Sequence, residues 1–482
     1  MMDNATTAPA LLWFRNDLRL DDNPALTAAV ESGRPILAVH VEDSGTDGRR
    51  MPGGASRWWL HHSLASLKES LAELGIPLVL RRGPEADVLR DLAKEFGAGA
   101  IFWNRRYDAP GIAADSDLKA SLRARDIACE SFNGALLIEP WRVRSGSGGP
   151  FKVFTPFWRA AQAAGAPPHP LNAPTKAIGH PAPPASDRLE DWDLLPTRPD
   201  WSGGLRDTWQ PGEASARQAL SRFIGERLAG YADNRDQPGR NGTSMLSPHL
   251  RFGEISPRRI WHEVCAAGIE GEALTKFQAE LGWREFSYHL LFHFPDLATR
   301  NFQRRFDAFP WREDPAGLKA WQRGRTGYPL VDAGMRQLWQ TGTLHNRVRM
   351  VAASFLVKHL LLDWRLGEAW FWDTLVDADP ASNTASWQWV AGSGADAAPY
   401  FRIFNPTAQG ERFDGDGAYT RQWLPELAKL PDRYLFRPHE APSEVLAEAG
   451  IRLGDTYPLP IVEHAKARQR ALDAFETLKS AA

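Results

Sequence analysis

Leu11-Leu-Trp-Phe14, Ile36-Leu-Ala-Val-His-Val41, Leu78-Val-Leu80 and Ala100-Ile-Phe-Trp103 are short apolar runs near the start of the chain, with a weaker one near Ile127. Between them, residues 56–74 and 86–96 place apolar side chains at three- and four-residue intervals, and Pro77 and Gly83 act as punctuation. Strands that alternate with helices form a parallel sheet covered on both faces, so this stretch predicts a doubly wound α/β domain over residues 10–134. No GxGxxG follows the first run. The fingerprint of a dinucleotide-binding oxidoreductase is therefore missing where that fold would carry it.

Downstream, nine prolines fall in the 34 residues from Ala166 to Pro199. That density excludes long helices and central strands and predicts an extended linker, placed at residues 135–210. Beyond it the pattern is helical throughout. Ala219, Leu220, Phe223, Ile224 and Leu228 form one stripe, and Leu344, Val348, Val351, Ala352, Phe355 and Leu356 another, predicting an all-α domain over 211–482.

Composition narrows the class. With 482 residues, 43% hydrophobic and 24% charged, the chain is neither collagenous nor disordered, and it is long enough for more than one core. Two distant cysteines, Cys129 and Cys265, provide neither a disulfide framework nor a cysteine-based zinc site, so no metal is expected. Residues Met1 to Pro9 are polar and no apolar run reaches 18 residues, so the expectation is a cytoplasmic protein without a membrane segment. Lys plus Arg (57) nearly balance Asp plus Glu (59), which leaves nucleic-acid binding to a local basic face. The 20 Trp against 8 Tyr ask for more than core filling.

Four stretches carry candidate chemistry. In Tyr231-Ala-Asp-Asn-Arg-Asp-Gln-Pro238 and Gly242-Thr-Ser-Met-Leu-Ser-Pro248, Ser247-Pro248 reads as an N-cap followed by proline. Such a start offers backbone N–H groups and the Thr243 and Ser244 hydroxyls to a phosphate, or it is simply a capped helix, as Ser256-Pro257 is expected to be. In Phe277-Gln-Ala-Glu-Leu-Gly-Trp-Arg-Glu-Phe286, Phe277, Glu280 and Arg284 share a helix face, with Trp283 about 60° to one side. A buried Glu280 would favour its neutral form and donate a proton or hydrogen bond; the alternative is a surface ion pair flanked by core aromatics. In His345-Asn-Arg-Val-Arg-Met350, Asn346 and Met350 are one turn apart, and the arginines suit phosphates or an acidic partner. In Asp377-Ala-Asp-Pro-Ala-Ser-Asn383-Thr-Ala-Ser-Trp387-Gln-Trp389, the two indoles diverge by about 200°, so they face different surroundings unless the helix is buried all round.

Together these segments resemble the photolyase/cryptochrome flavoproteins, and most closely the microbial cyclobutane pyrimidine dimer photolyases. Trp13-Phe-Arg-Asn-Asp-Leu-Arg-Leu20, Gly327-Tyr-Pro-Leu-Val-Asp-Ala-Gly-Met-Arg336 and Tyr400-Phe-Arg-Ile-Phe-Asn-Pro406 extend the likeness from Leu11 to the C-terminus. The resemblance implies a U-shaped FAD in the helical domain. Tyr231, Thr243, Ser244, Met245, Leu246 and Ser247 would contact it, and Phe277 would lie against it. Asp377, Ala378 and Asp379 would sit at the flavin-ring end, with Asp377 paired to Arg349 and Asn383 beside N5. A neutral amide there fits a repair enzyme; plant cryptochromes resembling this family tend to carry Asp, and insect-type ones Cys.

For substrate, the resemblance implies that Glu280 meets the dimer carbonyls while Trp283 and Trp389 pack on the flipped bases. Asn346, Arg347 and Met350 would border the lesion, and Arg235, Arg284 and Gln409 would contact UV-damaged DNA. Trp387, Trp364 and Trp311 would form an electron path to the flavin. Where folate-binding bacterial enzymes carry an Asn-Glu pair, this chain has Pro110-Gly111, so a methenyltetrahydrofolate antenna bound differently is favoured over a deazaflavin or none. A monomer without an obligatory protein partner is expected. Rival readings are a signalling cryptochrome, disfavoured by only about twenty residues after Ile461-Val-Glu-His464, a (6-4) photolyase, and a flavin oxidoreductase.

Overall fold

A computed structural model describes residues 8–43, 45, 48–397 and 401–480; Met1 to Thr7 and Tyr400 lie outside the described residues. The five apolar runs are parallel strands: β1 Ala10–Phe14, β2 Ile36–Glu42, β3 Leu78–Arg82, β4 Ala100–Asn104 and β5 Ala128–Phe132, in the order β3-β2-β1-β4-β5. Helices α1 Pro24–Glu31, α2 Gly54–Glu73, α3 Glu85–Glu95 and α4 Ala109–Arg123 alternate with them. β1 is buried along its whole length because both faces are covered: Ala10, Leu12 and Phe14 join the core under α1 and α2, while Leu11 and Trp13 join the core under α3 and α4.

In a doubly wound sheet the ligand crevice opens where the strand order reverses, here at the carboxyl ends of β1 and β4. That crevice is filled by protein. Arg15 pairs with Asp115 at 2.7 Å, Trp103 Nε1 donates to Asp115 at 2.9 Å, and Asn104 Nδ2 donates to Asp17 at 2.6 Å and Asn23 at 2.8 Å.

The proline-rich connector has no regular helix from 165 to 188 and is pinned to the start of β2 by Ile178 and His180, which bond the backbone of Ile36 at 2.7 and 2.9 Å. Before it, within the stretch read as linker, the Phe154–Ala163 helix packs on the Glu272–His293 helix. Beyond it, the regular elements among the described residues are helices. Both apolar stripes lie inward, the second running from the Asn346–Ser354 helix into a π-helical turn at Phe355–His359.

One apolar cluster crosses between the halves. Trp59 of α2 stacks on Phe252 at 6.0 Å, meets Trp209 edge-on at 5.4 Å, and shares its core with Val376. Nearby, the backbone at Gly53 lies so close to the Trp364–Thr374 helix that a Cβ would overlap the Trp372 carbonyl and Asp373 Cα. Gly367, on the same helix, leaves the space that the Trp387 indole fills; a Cβ there would overlap that ring and lie 2.5 Å from Leu356 Cδ2. Gly367→Ala is therefore expected to lower stability by about 1–3 kcal/mol, read as a drop in melting temperature, although alanine has the higher helix propensity.

Candidate functional site

The four stretches converge. The Glu272–His293 helix packs on the short Tyr231–Asn234 helix and on the Ser382–Ala391 helix, which also contacts the Asn346–Ser354 helix.

At the first stretch the expected cap is corrected. The helix runs from Ser247 to Phe252 and Leu246 holds the cap position, so the Ser247 side chain closes no backbone N–H and is exposed. Ser256 does cap, accepting from Arg259 N at 2.9 Å. The same Ser-Pro pair gives different starts because Met245 adopts a left-handed backbone at φ 57°, which turns the chain before Ser247. Thr243 and Ser244 are half-buried, the Ser244 hydroxyl accepting from Leu246 N at 3.4 Å, whereas the Leu246 side chain is core. Phe277 and Tyr231 face each other edge-on at 5.4 Å, both almost fully buried.

On the Glu272–His293 helix the expected burial of Glu280 is corrected. Its side chain is 35% exposed and pairs with Arg235 at 2.6 Å, the surface ion-pair arrangement. The buried carboxyl is Glu285, which accepts from Ile138 N at 3.1 Å and which burial pushes up to about 7 despite Arg284 beside it. Arg284 donates to the Ala135 carbonyl at 2.8 Å and lies over the Tyr288 ring, so it ties the helix to residue 135. Trp283 stacks flat on Phe154 at 3.8 Å and remains half-buried.

Because the folded carboxyl of Glu285 binds its proton more tightly than the unfolded one, its contribution is complete below about pH 4.5 and is lost as pH rises through about 7. Relative to Glu285→Gln, the native protein is expected to lose about 3 kcal/mol of stability between about pH 4.5 and about pH 8, measured by denaturant unfolding.

The third stretch lies beside the first. Asn346 is exposed, Met350 half-buried, and Arg347 pairs with Asp236 at 2.9 Å while lying over the Phe413 ring at 4.3 Å. A cavity of about 570 Å³, lined by Asp236, Arg240, Arg412 and Phe413 among others, opens next to this pair. Gln409, one turn before Phe413, has a buried Oε1 without a hydrogen-bond partner. Arg349 and Asp377 pair at 2.8 Å, as expected, and Asp377 Oδ1 is buried and unbonded. The orphaned Asp377 acceptor is what a cofactor with an N–H or O–H donor would complete, so the residues present fit FAD.

Ala378 and Asp379 are occupied within the protein. Arg251 Nε donates to the Ala378 carbonyl at 2.6 Å. Asp379 Oδ1 accepts from Ala381 and Ser382 N at 3.0 and 2.8 Å, and its Oδ2 from the Tyr288 hydroxyl at 2.6 Å, so this carboxylate organises the helix that carries Asn383. Asn383 Nδ2 donates to Glu368 Oε1 at 2.7 Å and to the Glu368 carbonyl at 3.1 Å, which turns its Oδ1 away from Glu368. The indoles diverge as expected: Trp387 is core, against Phe371 at 4.9 Å and Trp321 at 6.1 Å, whereas Trp389 is half-buried at a cavity of about 150 Å³ and donates to the Asp396 carbonyl at 3.1 Å. Trp364 and Trp387 belong to one apolar cluster, and Trp311 packs on its outside.

Sequence reasoning missed Glu368, Tyr288, Arg251 and Arg50. Glu368 reaches Asn383 from another helix and Arg50 reaches Glu368 at 2.7 Å from the sheet domain, separations at which no spacing rule operates.

Comparison with known proteins shows the family. Residues 10–175 match the family model described as DNA photolyase, and 277–477 the FAD binding domain of DNA photolyase. The chain belongs to the photolyase/cryptochrome family. Within it, the chain is 54% identical over 475 residues to a deoxyribodipyrimidine photo-lyase of Agrobacterium fabrum, covering 98% of both chains. It is 43% identical to cryptochrome-1 of Arabidopsis thaliana, covering 97% of this chain and 70% of that one. Among solved structures, a bacterial class III photolyase from Agrobacterium tumefaciens superposes with a TM-score of 0.95 at 55% identity and 98% coverage of both chains.

Proposed function

We propose that this protein is a deoxyribodipyrimidine photo-lyase, which splits cyclobutane pyrimidine dimers in DNA with FAD and light. The observation that carries the reading is Asn383: a neutral amide, buried and held in one orientation, where plant cryptochromes resembling this family tend to carry an acid. FAD, when bound, would supply one-electron photochemistry without net redox change.

The chain supplies position and charge. Arg235 and Arg347, each paired with a carboxylate at the surface, are placed to exchange those partners for DNA phosphates. When Arg235 turns to phosphate, Glu280 is freed to meet the carbonyls of the flipped dimer. Trp283 is braced on one face by Phe154, which leaves a rigid edge against which an extruded base packs. Extrusion costs roughly a few kcal/mol, least for a lesion that has already lost stacking. Thr243, Ser244 and Ser247 hold the cofactor phosphates, while Asp377 and Arg349 hold its ring end.

A second, light-harvesting chromophore of the folate type accompanies FAD. At the start of α4 Pro110 has no N–H to give and Gly111 N is already bonded to Asp108 at 3.0 Å, which favours a folate seated elsewhere. No described helix is long and apolar enough to cross a membrane. The protein acts on DNA as a monomer.

The test is incubation of reduced protein with oligonucleotides carrying either a cyclobutane dimer or a (6-4) product, in blue light and in darkness. Light-only repair of the cyclobutane dimer supports the reading; binding without repair favours a photoreceptor. Affinity is expected to fall steeply with salt, in filter-binding titrations, because the arginine contacts release counterions.

A further inference from the structure

We infer that Arg50, from the segment before α2, is a positioning residue for the Asn383 amide, acting through Glu368. The inference rests on the reading of Asn383 as the group facing flavin N5.

The segment 50–54 is built onto the Trp364–Thr374 helix by five independent contacts. Arg50 Nη1 donates to both Glu368 oxygens at 2.9 and 2.7 Å, and its guanidinium lies over the Trp372 ring at 4.6 Å. Trp372 Nε1 donates to the Met51 carbonyl at 2.8 Å, Gly54 N donates to Asp373 Oδ1 at 2.8 Å, and Gly53 has no room for a side chain. The segment is thus fixed against the helix that carries Glu368.

The orientation of the amide follows. Glu368 is 6% exposed and gives both oxygens to a cation, so towards Asn383 it is an acceptor. Asn383 must therefore present Nδ2 to Glu368, and its Oδ1 is directed to the opposite side, where an N5–H of the reduced flavin would donate. Remove Arg50 and a buried carboxylate is left with one neutral partner and nothing to fix which way its oxygens point, so the amide is free to turn over. Arg50 acts through Glu368, and its own side chain is 45% exposed.

The test is a double-mutant cycle on FAD-loaded protein: native, Arg50→Met, Asn383→Leu and the double variant. Each is scored by the rate at which the reduced flavin reoxidises in air in the dark and by the visible spectrum of the oxidised flavin. Methionine keeps contact with Trp372 and removes the charge. Arg50→Met is expected to speed reoxidation about tenfold when Asn383 is present, and by less than about twofold when it is Leu. Equal effects in both backgrounds, or none in the first, overturn the inference. If Arg50→Met does not retain FAD, Glu368→Gln takes its place in the same cycle with the same criteria. Native protein that binds FAD but repairs no dimer overturns the proposed function alone; native protein that binds no FAD overturns both.

Discussion

Trp387→Phe is expected to stop light-driven reduction of bound FAD almost completely while leaving dimer repair by chemically pre-reduced protein intact. Trp387 is 2% exposed and wedged between Phe371 and Trp321 in the cluster that also holds Trp364, with Trp311 packed at the outer side. An indole gives up one electron far more readily than a benzene ring, so phenylalanine breaks the path without changing the apolar character of the site. The smaller ring leaves a void and lowers stability by about 1–2 kcal/mol, which a melting curve records separately. Two assays decide the matter: flavin absorbance under blue light with an external reductant, and repair in the light after dithionite treatment. Failure of both in a folded, FAD-loaded variant would mean that Trp387 has a role beyond electron supply.

The second large effect concerns retention of the cofactor. Asp377→Ala is expected to weaken FAD binding roughly a hundredfold, on the order of 3 kcal/mol. The Asp377 side chain is 5% exposed; one oxygen neutralises Arg349 and the other has no partner among the described residues. Alanine removes the acceptor and leaves Arg349 without its counter-charge. Asp377→Asn keeps the size and one acceptor, so a loss of about tenfold is expected there. Fluorescence titration of apoprotein with FAD measures both. Unchanged affinity in Asp377→Ala would place this carboxylate outside the cofactor site.

How far these features could be read in the sequence depended on the range of the forces that fix them. The inner strands were legible because a strand covered on both faces needs an unbroken apolar run, as Leu11 to Phe14 shows. β5 gave a weaker signal for the opposite reason: at the sheet edge its residues alternate, Cys129 and Ser131 buried, Ala128 and Glu130 exposed. Ser247 and Ser256 look alike in sequence, yet only Ser256 caps; its hydroxyl is also held by Asp22, a partner 234 residues away. Glu280 and Glu285 lie on one helix, and which is buried was decided by the segment at 137–138 that packs over Glu285. Pairings with Asp377 followed from family resemblance, whereas the contacts of Glu368 and Arg50 had no local trace at all.

The apolar cluster that Trp59, Phe252 and Val376 share has a consequence for the nucleic acid. On the proposed reading, halves sewn together by a common core resist opening like a hinge to admit a lesion. The shape change would then fall on the duplex, which would have to kink and surrender its damaged bases. Discrimination between damaged and intact DNA would accordingly be set in large part by how easily each sequence deforms, at positions that no side chain touches.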